Sequence, residues 1–217
     1  MVKRRRTYRR KKSKENSGLL AALITLLILA IAIFGVVKGI DYHEQRLEQQ
    51  AIESSQAAKN KVAQEKQAFI DQIATYAQQL QTQYHILPSI TIAQAILESD
   101  WGNSQLASQY KNLFGVKSDD PNNSQLLDTQ EYVDGSWHTV KGRFRVYDSY
   151  DASLLGHAKL LAEGTSWNAQ QYTHVLNATN YVDAAKALQQ DGYATDPDYA
   201  TKIIQIIEKY HLTKYDQ

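Results

Sequence analysis

Residues 90–117 read ITIAQAILESDWGNSQLASQYKNLFGVK and contain the pattern on which the fold depends. At about 100° per residue, one helical face consists of apolar side chains, namely Ile90, Ile92, Ala93, Ile96 and Leu97. Glu98 lies roughly 160° from the centre of that face, on the side of Gln94. Gly102 is the expected end of the helix. The stretch therefore predicts a core helix that presents one carboxylate near its carboxyl-terminal end.

Helical spacing also precedes this stretch and predicts a first core helix. That helix begins near Phe69 and reaches about Tyr84, with further apolar positions at Ile73, Tyr76, Ala77 and Leu80. The residues His85-Ile86-Leu87-Pro88 interrupt it, and Ser89 is the predicted N-cap of the next helix. After Gly102, a short helix is expected over residues 104–110. The central part of the chain is therefore predicted to be helical.

The remainder of the chain predicts one small hairpin followed by more helices. Strand-like alternation over residues 129–133 and 139–147 flanks Asp134-Gly135, a dipeptide typical of a hairpin turn. Helical patterns cover residues 150–163, 181–191 and 197–210, and Gly164 and Gly192 are the expected helix stops. The predicted fold class is α+β, mainly α, with a small β-hairpin.

Residues 19–37, LLAALITLLILAIAIFGVV, form an apolar segment near the amino terminus. They carry no charge, and nineteen helical residues span about 28 Å, close to the hydrocarbon thickness of a bilayer. We therefore predict a transmembrane helix. A cleaved signal peptide is the alternative, although its apolar region should be shorter and should end at a small-residue cleavage site.

Charge is distributed unevenly around that segment. Nine Lys and Arg and one Glu lie within residues 1–17, so the rest of the chain has a formal charge of −7. This sign argues against a nucleic-acid-binding domain. The basic tail predicts a cytoplasmic amino terminus and contact with anionic lipid, with nucleic-acid binding by the tail as the alternative. Everything after about residue 40 is then expected outside the cell membrane.

These patterns predict four parts. They are a basic cytoplasmic tail (1–17), a single transmembrane helix (18–40), a helical stalk (41–66) and a folded domain (67–217). The stalk is rich in Gln, Glu, Lys and Ala but lacks a core-facing apolar stripe, which is typical of a solvated helix. The sequence does not indicate an oligomeric state.

Several kinds of chemistry are excluded by the residues present. There is no cysteine, no Gly-rich phosphate loop, no G-x-S-x-G motif and no pair of histidines at metal-ligand spacing. No metal or organic cofactor is implied. Carboxylates are therefore the remaining candidates for catalysis.

Glu98 has two interpretations. It is either a solvated acid near a helix end or a proton donor, because the negative end of the helix dipole favours the protonated form. Nearby residues add flat faces and amide groups that suit a sugar, although aromatic residues also build cores. These candidate substrate-binding residues are Trp101, Tyr110, Asn112, Phe114 and Gly115.

Five blocks in order carry a resemblance to a known family. They are AQAILESDWGNSQLA (93–107), YKNLFGVK (110–117), TQEYVDG (129–135), FRVYDSYDASLLGH (144–157) and GYATDPDYATKI (192–203). With them, residues of about 70–210 resemble the bacterial peptidoglycan β-N-acetylglucosaminidases of the mannosyl-glycoprotein endo-β-N-acetylglucosaminidase-like family, which includes the flagellar rod hydrolase. The resemblance implies a lysozyme-like, mainly helical fold with a β-hairpin lobe over a cleft.

The resemblance also implies roles for particular residues. Glu98 matches the general acid, Glu131 the second carboxylate on the hairpin, and Tyr193 a functionally important tyrosine. Asn112, Phe114 and Gly115 match the block that lines the substrate. Glu131 is expected either to activate water or to assist attack by the substrate's own N-acetyl group, and the sequence leaves both routes open.

The expected function is that of an endo-β-N-acetylglucosaminidase. Such an enzyme, anchored in the cell membrane and facing the cell wall, would cut the β-1,4 bond after N-acetylglucosamine in peptidoglycan glycan strands. A muramidase or lytic transglycosylase acting on the same glycan is one alternative. A non-catalytic peptidoglycan-binding scaffold is another.

Overall fold

The computed structural model describes residues 11–133 and 136–217, with side chains for 17–129, 136 and 138–217. It contains seven helices within the described residues, with the bounds α1 (Lys11–Tyr84), α2 (Pro88–Ser99), α3 (Gln105–Tyr110), α4 (Tyr150–Glu163), α5 (Thr173–Asn177), α6 (Tyr181–Gln190) and α7 (Tyr199–Tyr210). Strands β1 (Ser124–Val133) and β2 (Ser136–Arg145) form an antiparallel pair. Short 3-10 turns cover Pro121–Asn123 and Leu212–Tyr215. The expected fold class, mainly α with one small hairpin, is confirmed.

Residues 18–40, 41–66 and about 69–84, which were predicted as three separate helical segments, belong to one continuous helix, α1, from Lys11 to Tyr84. Favourable helix composition in residues 41–66 explains this continuity, since no Gly or Pro interrupts the backbone there. The chain divides into two compact units between Val62 and Ala63. Side chains from Gly18 to Glu65 are exposed, whereas from Phe69 onward α1 contributes buried residues.

The first unit contains a helix long and apolar enough to cross a membrane, judged by length and composition alone. Its most apolar window of 18 residues has a mean hydropathy of 3.0, and no part of that window is buried. A signal sequence near an amino terminus meets the same criterion. The basic tail predicted over 1–17 lies mostly outside the described residues.

The second unit has one apolar core, and α2 lies within it. Ten of the twelve α2 residues are buried. Its neighbours are α6, α7 and the Leu212–Tyr215 turn. Burial of each large aliphatic side chain, such as Ile90, Ile92 or Ile96, contributes on the order of 1.5–3 kcal/mol. Helix α2 is thus fixed on several sides, which gives its carboxyl-terminal end a defined position.

The N-cap of α2 is not the one predicted. Leu87 occupies the N-cap position, Pro88 is the first helical residue, and Ser89 lies inside the first turn. Asp216, from the end of the chain, instead accepts hydrogen bonds from the Ser89 backbone N–H (2.8 Å) and from Ser89 Oγ (2.7 Å). A carboxylate at this end also interacts favourably with the helix dipole. The cap is supplied by tertiary structure.

The hairpin is longer than predicted and is joined to the YKNLFGVK segment. Its strands pair from Ser124 with Arg145 to Val133 with Ser136, and the predicted turn Asp134-Gly135 lies outside the described residues. At the base, the Arg145 N–H donates to the Val116 carbonyl at 2.8 Å. Ladder hydrogen bonds extend the strands beyond the alternating positions on which the prediction relied.

The sequence also did not predict α5.

Candidate active site

Glu98 lies one residue before the end of α2, at a sharp change in chain direction. Asp100, Trp101 and Gly102 follow, and all three have positive φ values of 49°, 60° and 77°. A Cβ atom at Gly102 would lie 2.9 Å from the Phe69 ring and 3.0 Å from the Tyr150 hydroxyl. Glycine is required there because both the left-handed backbone and the close packing exclude a side chain. This turn ends α2 directly after the carboxylate.

Tyr199 and Gln94 form a hydrogen-bonded chain to Glu98. Tyr199 Oη donates to Glu98 Oε1 at 2.8 Å, and Gln94 Nε2 donates to Tyr199 Oη at 3.0 Å. Both supporting residues are buried, Gln94 completely. Because Gln94 lies one turn before Glu98 on α2, the helix face that the pattern assigned to solvent is covered by α7. Glu98 is therefore held by the fold, unlike a freely solvated acid at a helix end.

The environment of Glu98 favours its protonated form. The side chain remains accessible to solvent, yet protein atoms surround the carboxyl group closely enough to remove part of its hydration. This desolvation raises the pKa of Glu98 above its ordinary value of 4.5, and the hydrogen bond from Tyr199 opposes the rise. A carboxyl group with a raised pKa can remain protonated, and thus donate a proton, at a higher pH.

Tyr193 lies in the same cluster, as the resemblance implied. Its ring stacks on Tyr199, with centroids 5.8 Å apart, and it follows the turn at Gly192, whose φ is +77°. Burial raises the pKa of Tyr193 well above 10, and the negative charge of Glu98 raises it further. Tyr193 therefore remains a neutral hydroxyl at all ordinary pH values, near the carboxylate. The structure brings Glu98 and Tyr193 together.

For Glu131 the structure describes only the backbone. It lies in β1, two residues before the end of that strand, and pairs with His138 on β2. Its side chain lies outside the described residues. Its role as a second carboxylate stays a prediction.

Asn112 is fully inside the protein, where it joins its loop to the base of the hairpin. Its Nδ2 group donates to the carbonyls of Val116 and Arg145, both at 2.9 Å. Its Oδ1 atom accepts from the N–H groups of Val116 at 3.0 Å and of Phe114 at 3.3 Å. With these four hydrogen bonds, Asn112 shapes the loop around Gly115. Direct contact between Asn112 and a substrate stays a prediction.

The other predicted substrate-binding residues lie in different surroundings. Phe114 is buried, Tyr110 is half-buried, and Gly115 has open space around its Cα atom with a φ of +65°. Trp101 packs edge-on against Phe69 and Tyr210, with ring centroids 6.2 Å and 4.7 Å away. The described contacts of Trp101 therefore join α2 to α1 and α7. Its contact with a substrate is likewise untested.

His157 is a buried residue beside this cluster that the sequence did not single out. Its ring stacks on Phe114 with centroids 3.9 Å apart and meets Tyr193 edge-on at 5.8 Å. Neither ring nitrogen has a hydrogen-bond partner in the described part of the chain. Burial lowers the pKa of His157 to about 3, so the ring is neutral at physiological pH. His157 thus acts as an aromatic support behind Phe114 and Tyr193.

Three members of the site were therefore missed, namely Gln94, His157 and Tyr199. Two signals existed in the sequence. Gln94 stands four residues before Glu98 on the same helix, and Tyr199 belongs to the GYATDPDYATKI block. Among the side chains that the structure describes (17–129, 136 and 138–217), no three His, Asp or Glu converge as a metal site would require.

Comparison with known proteins identifies relatives of this chain. Residues 74–212 match the family described as mannosyl-glycoprotein endo-beta-N-acetylglucosaminidase. Exo-glucosaminidase LytG of Bacillus subtilis (strain 168) is 45% identical over 208 residues, which cover 96% of this chain and 70% of LytG. A probable N-acetylmuramidase of Lactococcus lactis subsp. cremoris is 38% identical over 195 residues. The match covers 88% of this chain and only 43% of that protein.

A solved structure shows the same fold. A crystal structure of a peptidoglycan hydrolase mutant from Sphingomonas sp. A1 has a TM-score of 0.59 and 33% identity, covering 69% of this chain and 97% of that one. The expected lysozyme-like glucosaminidase fold and the resemblance stated above are both confirmed. The family match includes Glu98, Tyr193 and Tyr199 within its bounds. The chain therefore belongs to the glucosaminidase family of glycoside hydrolases.

Proposed function

We propose that this protein is a membrane-anchored cell-wall hydrolase that cleaves the β-1,4 bond after N-acetylglucosamine in peptidoglycan, with Glu98 as its general acid. One observation carries the proposal: the accessible Glu98 carboxyl has a raised pKa and a hydrogen bond from Tyr199, in a chain of the glucosaminidase family. Peptidoglycan as the substrate is supported by the family and by the solved relative, which is named a peptidoglycan hydrolase.

In the proposed reaction, protonated Glu98 donates its proton to the glycosidic oxygen as the bond to the anomeric carbon breaks. Tyr199 then stabilises the carboxylate that results, because its hydroxyl already donates to Oε1. The Tyr193 hydroxyl, kept neutral by burial, is a hydrogen-bond donor for the sugar at the oxocarbenium-like transition state.

The second half of the reaction has two proposed routes. In the first, Glu131 activates a water molecule, which inverts the anomeric carbon. In the second, the N-acetyl oxygen of the substrate attacks the anomeric carbon as the glycosidic bond breaks, supported by Tyr193. Water then opens the cyclic intermediate, so the configuration is retained. Proton NMR of the first product formed distinguishes the routes, because α and β anomers give separate signals. A Glu131→Gln variant that keeps full activity would argue against the first route.

We propose that the enzyme cleaves bonds within the glycan strands and not only at their ends. The family description names an endo enzyme, whereas the relative from Bacillus subtilis is named an exo enzyme. Sizing of early products from long glycan strands separates the two. Internal cleavage shortens the strands before small fragments accumulate, and exclusive release of terminal sugars would contradict it.

A muramidase or lytic transglycosylase acting on the same glycan is the alternative enzyme. The relative from Lactococcus lactis, which is named a probable N-acetylmuramidase, supports this alternative. Mass spectrometry of the reducing ends decides between them. N-acetylglucosamine ends support the proposal, whereas muramic or anhydro-muramic ends would overturn the assigned bond.

A non-catalytic glycan-binding scaffold is the alternative in a different class. The intact arrangement of Glu98, Tyr193 and Tyr199 argues against it, because a scaffold has no need for a carboxyl group with a raised pKa. Binding to peptidoglycan without any released fragments would support the scaffold instead.

Anchoring at the membrane is proposed from the apolar part of α1. Residues 19–37 have the length and composition of a single span, and the basic residues before it favour a cytoplasmic amino terminus. Residues after about 40 would then face the cell wall. In intact cells with a permeabilised wall, external protease should degrade the second unit. Complete protection of that unit would overturn this topology.

The decisive test is zymography of the full chain in detergent on cell-wall substrate. Glu98→Gln should abolish clearing, since Gln has no acidic proton to donate and acid–base catalysis typically contributes about 10²–10⁴-fold. The control is Glu65→Gln, which makes the same change in charge at an exposed position on α1. Retention of full activity by the Glu98→Gln variant would refute the proposed function.

A further inference from the structure

A groove lies between the end of β2 and the outer face of α4. Its volume is about 500 Å³, and its lining includes Arg145, Tyr147, Asp148, Gly156, Lys159 and Glu163. Ligand sites in proteins are commonly about 300–1,000 Å³. We refer to it as the Arg145–Lys159 groove. It is large enough for several residues of a peptide or for a small ligand.

The Arg145–Lys159 groove carries two cations and two anions that are not paired with each other. None of the ion pairs or side-chain hydrogen bonds in the described part of the chain involves the charged groups of Arg145, Asp148, Lys159 or Glu163. The guanidinium of Arg145 lies 5.4 Å from the centroid of the Tyr147 ring, a contact that leaves its N–H donors without a carboxylate partner. The four charged groups can therefore pair with a ligand. A ligand with both carboxylates and an amino group matches this set better than a neutral sugar chain.

Tyr147 connects the groove to the candidate active site. It lines the groove, and its hydroxyl packs on Gly156, where a Cβ atom would lie 2.6 Å from Tyr147 Oη. The same side chain is close enough to Tyr193 to interact with it electrostatically, and Tyr193 interacts with Glu98. On α4, Gly156 is followed directly by His157, whose ring meets Tyr193 edge-on with centroids 5.8 Å apart. The groove therefore lies next to the candidate active site along α4.

We propose that the Arg145–Lys159 groove binds the stem peptide of peptidoglycan. Carboxylates of the peptide would lie on Arg145 and Lys159, and its free amino group on Asp148 or Glu163. This inference rests on the proposed function. In peptidoglycan the stem peptide branches from the muramic acid that directly follows the proposed cleavage site, so it leaves the strand beside the active site. The glycan without its peptide has one carboxylate on each muramic acid and no amino group, so it matches this set of charges less well.

A comparison of two substrates tests this proposal with the full chain in detergent. The first substrate is soluble glycan strands bearing stem peptides, and the second is the same strands after an amidase has removed the peptides. The test variant is Arg145→Gln/Lys159→Gln. The control is Lys59→Gln/Lys186→Gln, which changes the net charge equally at exposed positions outside the groove.

The test variant should lose about tenfold in kcat/KM on the peptide-bearing strands, mainly through KM, because it loses charge-assisted hydrogen bonds. On the stripped strands, which keep one carboxylate on each muramic acid, its loss should be much smaller. The control variant should match the wild type on both substrates. Equal losses on both substrates would assign the groove to the glycan and overturn the proposal, as would no loss on either.

A binding measurement tests the groove without depending on the proposed glycosidase activity. Peptides released by the amidase are titrated into the Glu98→Gln variant and into the same variant with Arg145→Gln/Lys159→Gln. Binding that is lost with the two cations supports the groove even if the glycosidase assignment fails. Absence of binding to Glu98→Gln, together with unchanged kcat/KM in the test variant, would refute the groove assignment while leaving the glycosidase assignment intact.

Discussion

Tyr199 donates a hydrogen bond from its hydroxyl to Glu98, the proposed general acid. Its hydroxyl is itself positioned by Gln94, so the orientation of Glu98 depends on two buried residues from two helices. The hydrogen bond stabilises the ionised form and moderates the rise in the pKa of Glu98 that desolvation causes. For the proposed general acid Glu98, Tyr199 is therefore a positioning residue that also sets the pH range of proton donation.

Replacement of Tyr199 by Phe should alter the pH profile as well as the rate. Without the donor, the pKa of Glu98 rises further, so the basic limb of the kcat/KM profile should move to higher pH. At its optimum, the rate should fall by about tenfold because the carboxyl group is less well oriented. Rates measured on soluble peptidoglycan across the pH range check both effects.

Tyr181→Phe is the matched control, since Tyr181 Oη also donates to a glutamate, Glu208, at an exposed site. It should leave the profile unchanged. A Tyr199→Phe variant with a lower rate but an unmoved basic limb would show that Tyr199 has only a structural role.

His157 predicts an acid-sensitive contribution to stability. Its pKa falls from an unfolded value of 6.5 to about 3 in the fold. Between these values the unfolded chain binds a proton that the native chain does not, so stability is complete above pH 6.5 and decreases as the pH falls toward 3. His157→Phe keeps the ring stacked on Phe114 and should lose less stability between pH 7 and pH 5.

Urea unfolding of the full chain in detergent at the two pH values measures this difference. His43→Phe, at an exposed position on α1, should behave like the wild type. An equal loss of stability in wild type and His157→Phe would contradict the burial of a neutral histidine.

At the scale of elements, the end of the chain completes the helix that carries Glu98. Asp216 caps the first turn of α2 through Ser89, and the Leu212–Tyr215 turn packs beside the same helix. Sequence patterns can recognise a cap only when it is close along the chain, and here 127 residues separate the two groups. The predicted local cap at Ser89 was wrong for that reason.

Asp216→Ala should lower the free energy of unfolding by about 1 kcal/mol, the usual effect of losing an N-cap. Unfolding in urea, monitored by tryptophan fluorescence, provides the measurement. Asp119→Ala removes an exposed carboxylate elsewhere and should have little effect. If both variants unfold at the same urea concentration as the wild type, the cap does not stabilise α2.

For the whole molecule, the proposed attachment to the membrane depends on residues 19–37. Placing Lys at both Ile28 and Ile31 should release the protein from the membrane fraction, because each charge near the centre of a span costs about 2.5–3.5 kcal/mol. The control places Lys at Ile52 and Val62, which are exposed on α1 beyond the apolar segment. Fractionation after carbonate extraction measures attachment, and unchanged retention of the Ile28/Ile31 variant would contradict a membrane span.

The sequence by itself determined the mainly helical fold, the hairpin, the apolar segment and the family. Each of these features depends on the spacing of nearby residues or on motifs in a fixed order along the chain. Both can be recognised without knowing which residues are in contact in the fold. Glu98 at the end of α2 and Tyr193 after Gly192 followed from the same blocks. Helix α5 and the full length of the strands did not, because packing and ladder hydrogen bonds extend elements beyond their patterns.

Only the tertiary structure decided what surrounds the carboxylate. The helical wheel placed Glu98 away from the apolar face, on the side of Gln94. In the structure α7 covers Gln94 and brings Tyr199 onto Glu98 from about a hundred residues away. The same packing made Asn112 a buried connector and Trp101 a contact between helices. Burial and hydrogen bonding across distant segments set the pKa of Glu98, and no local pattern in the sequence encodes those contacts.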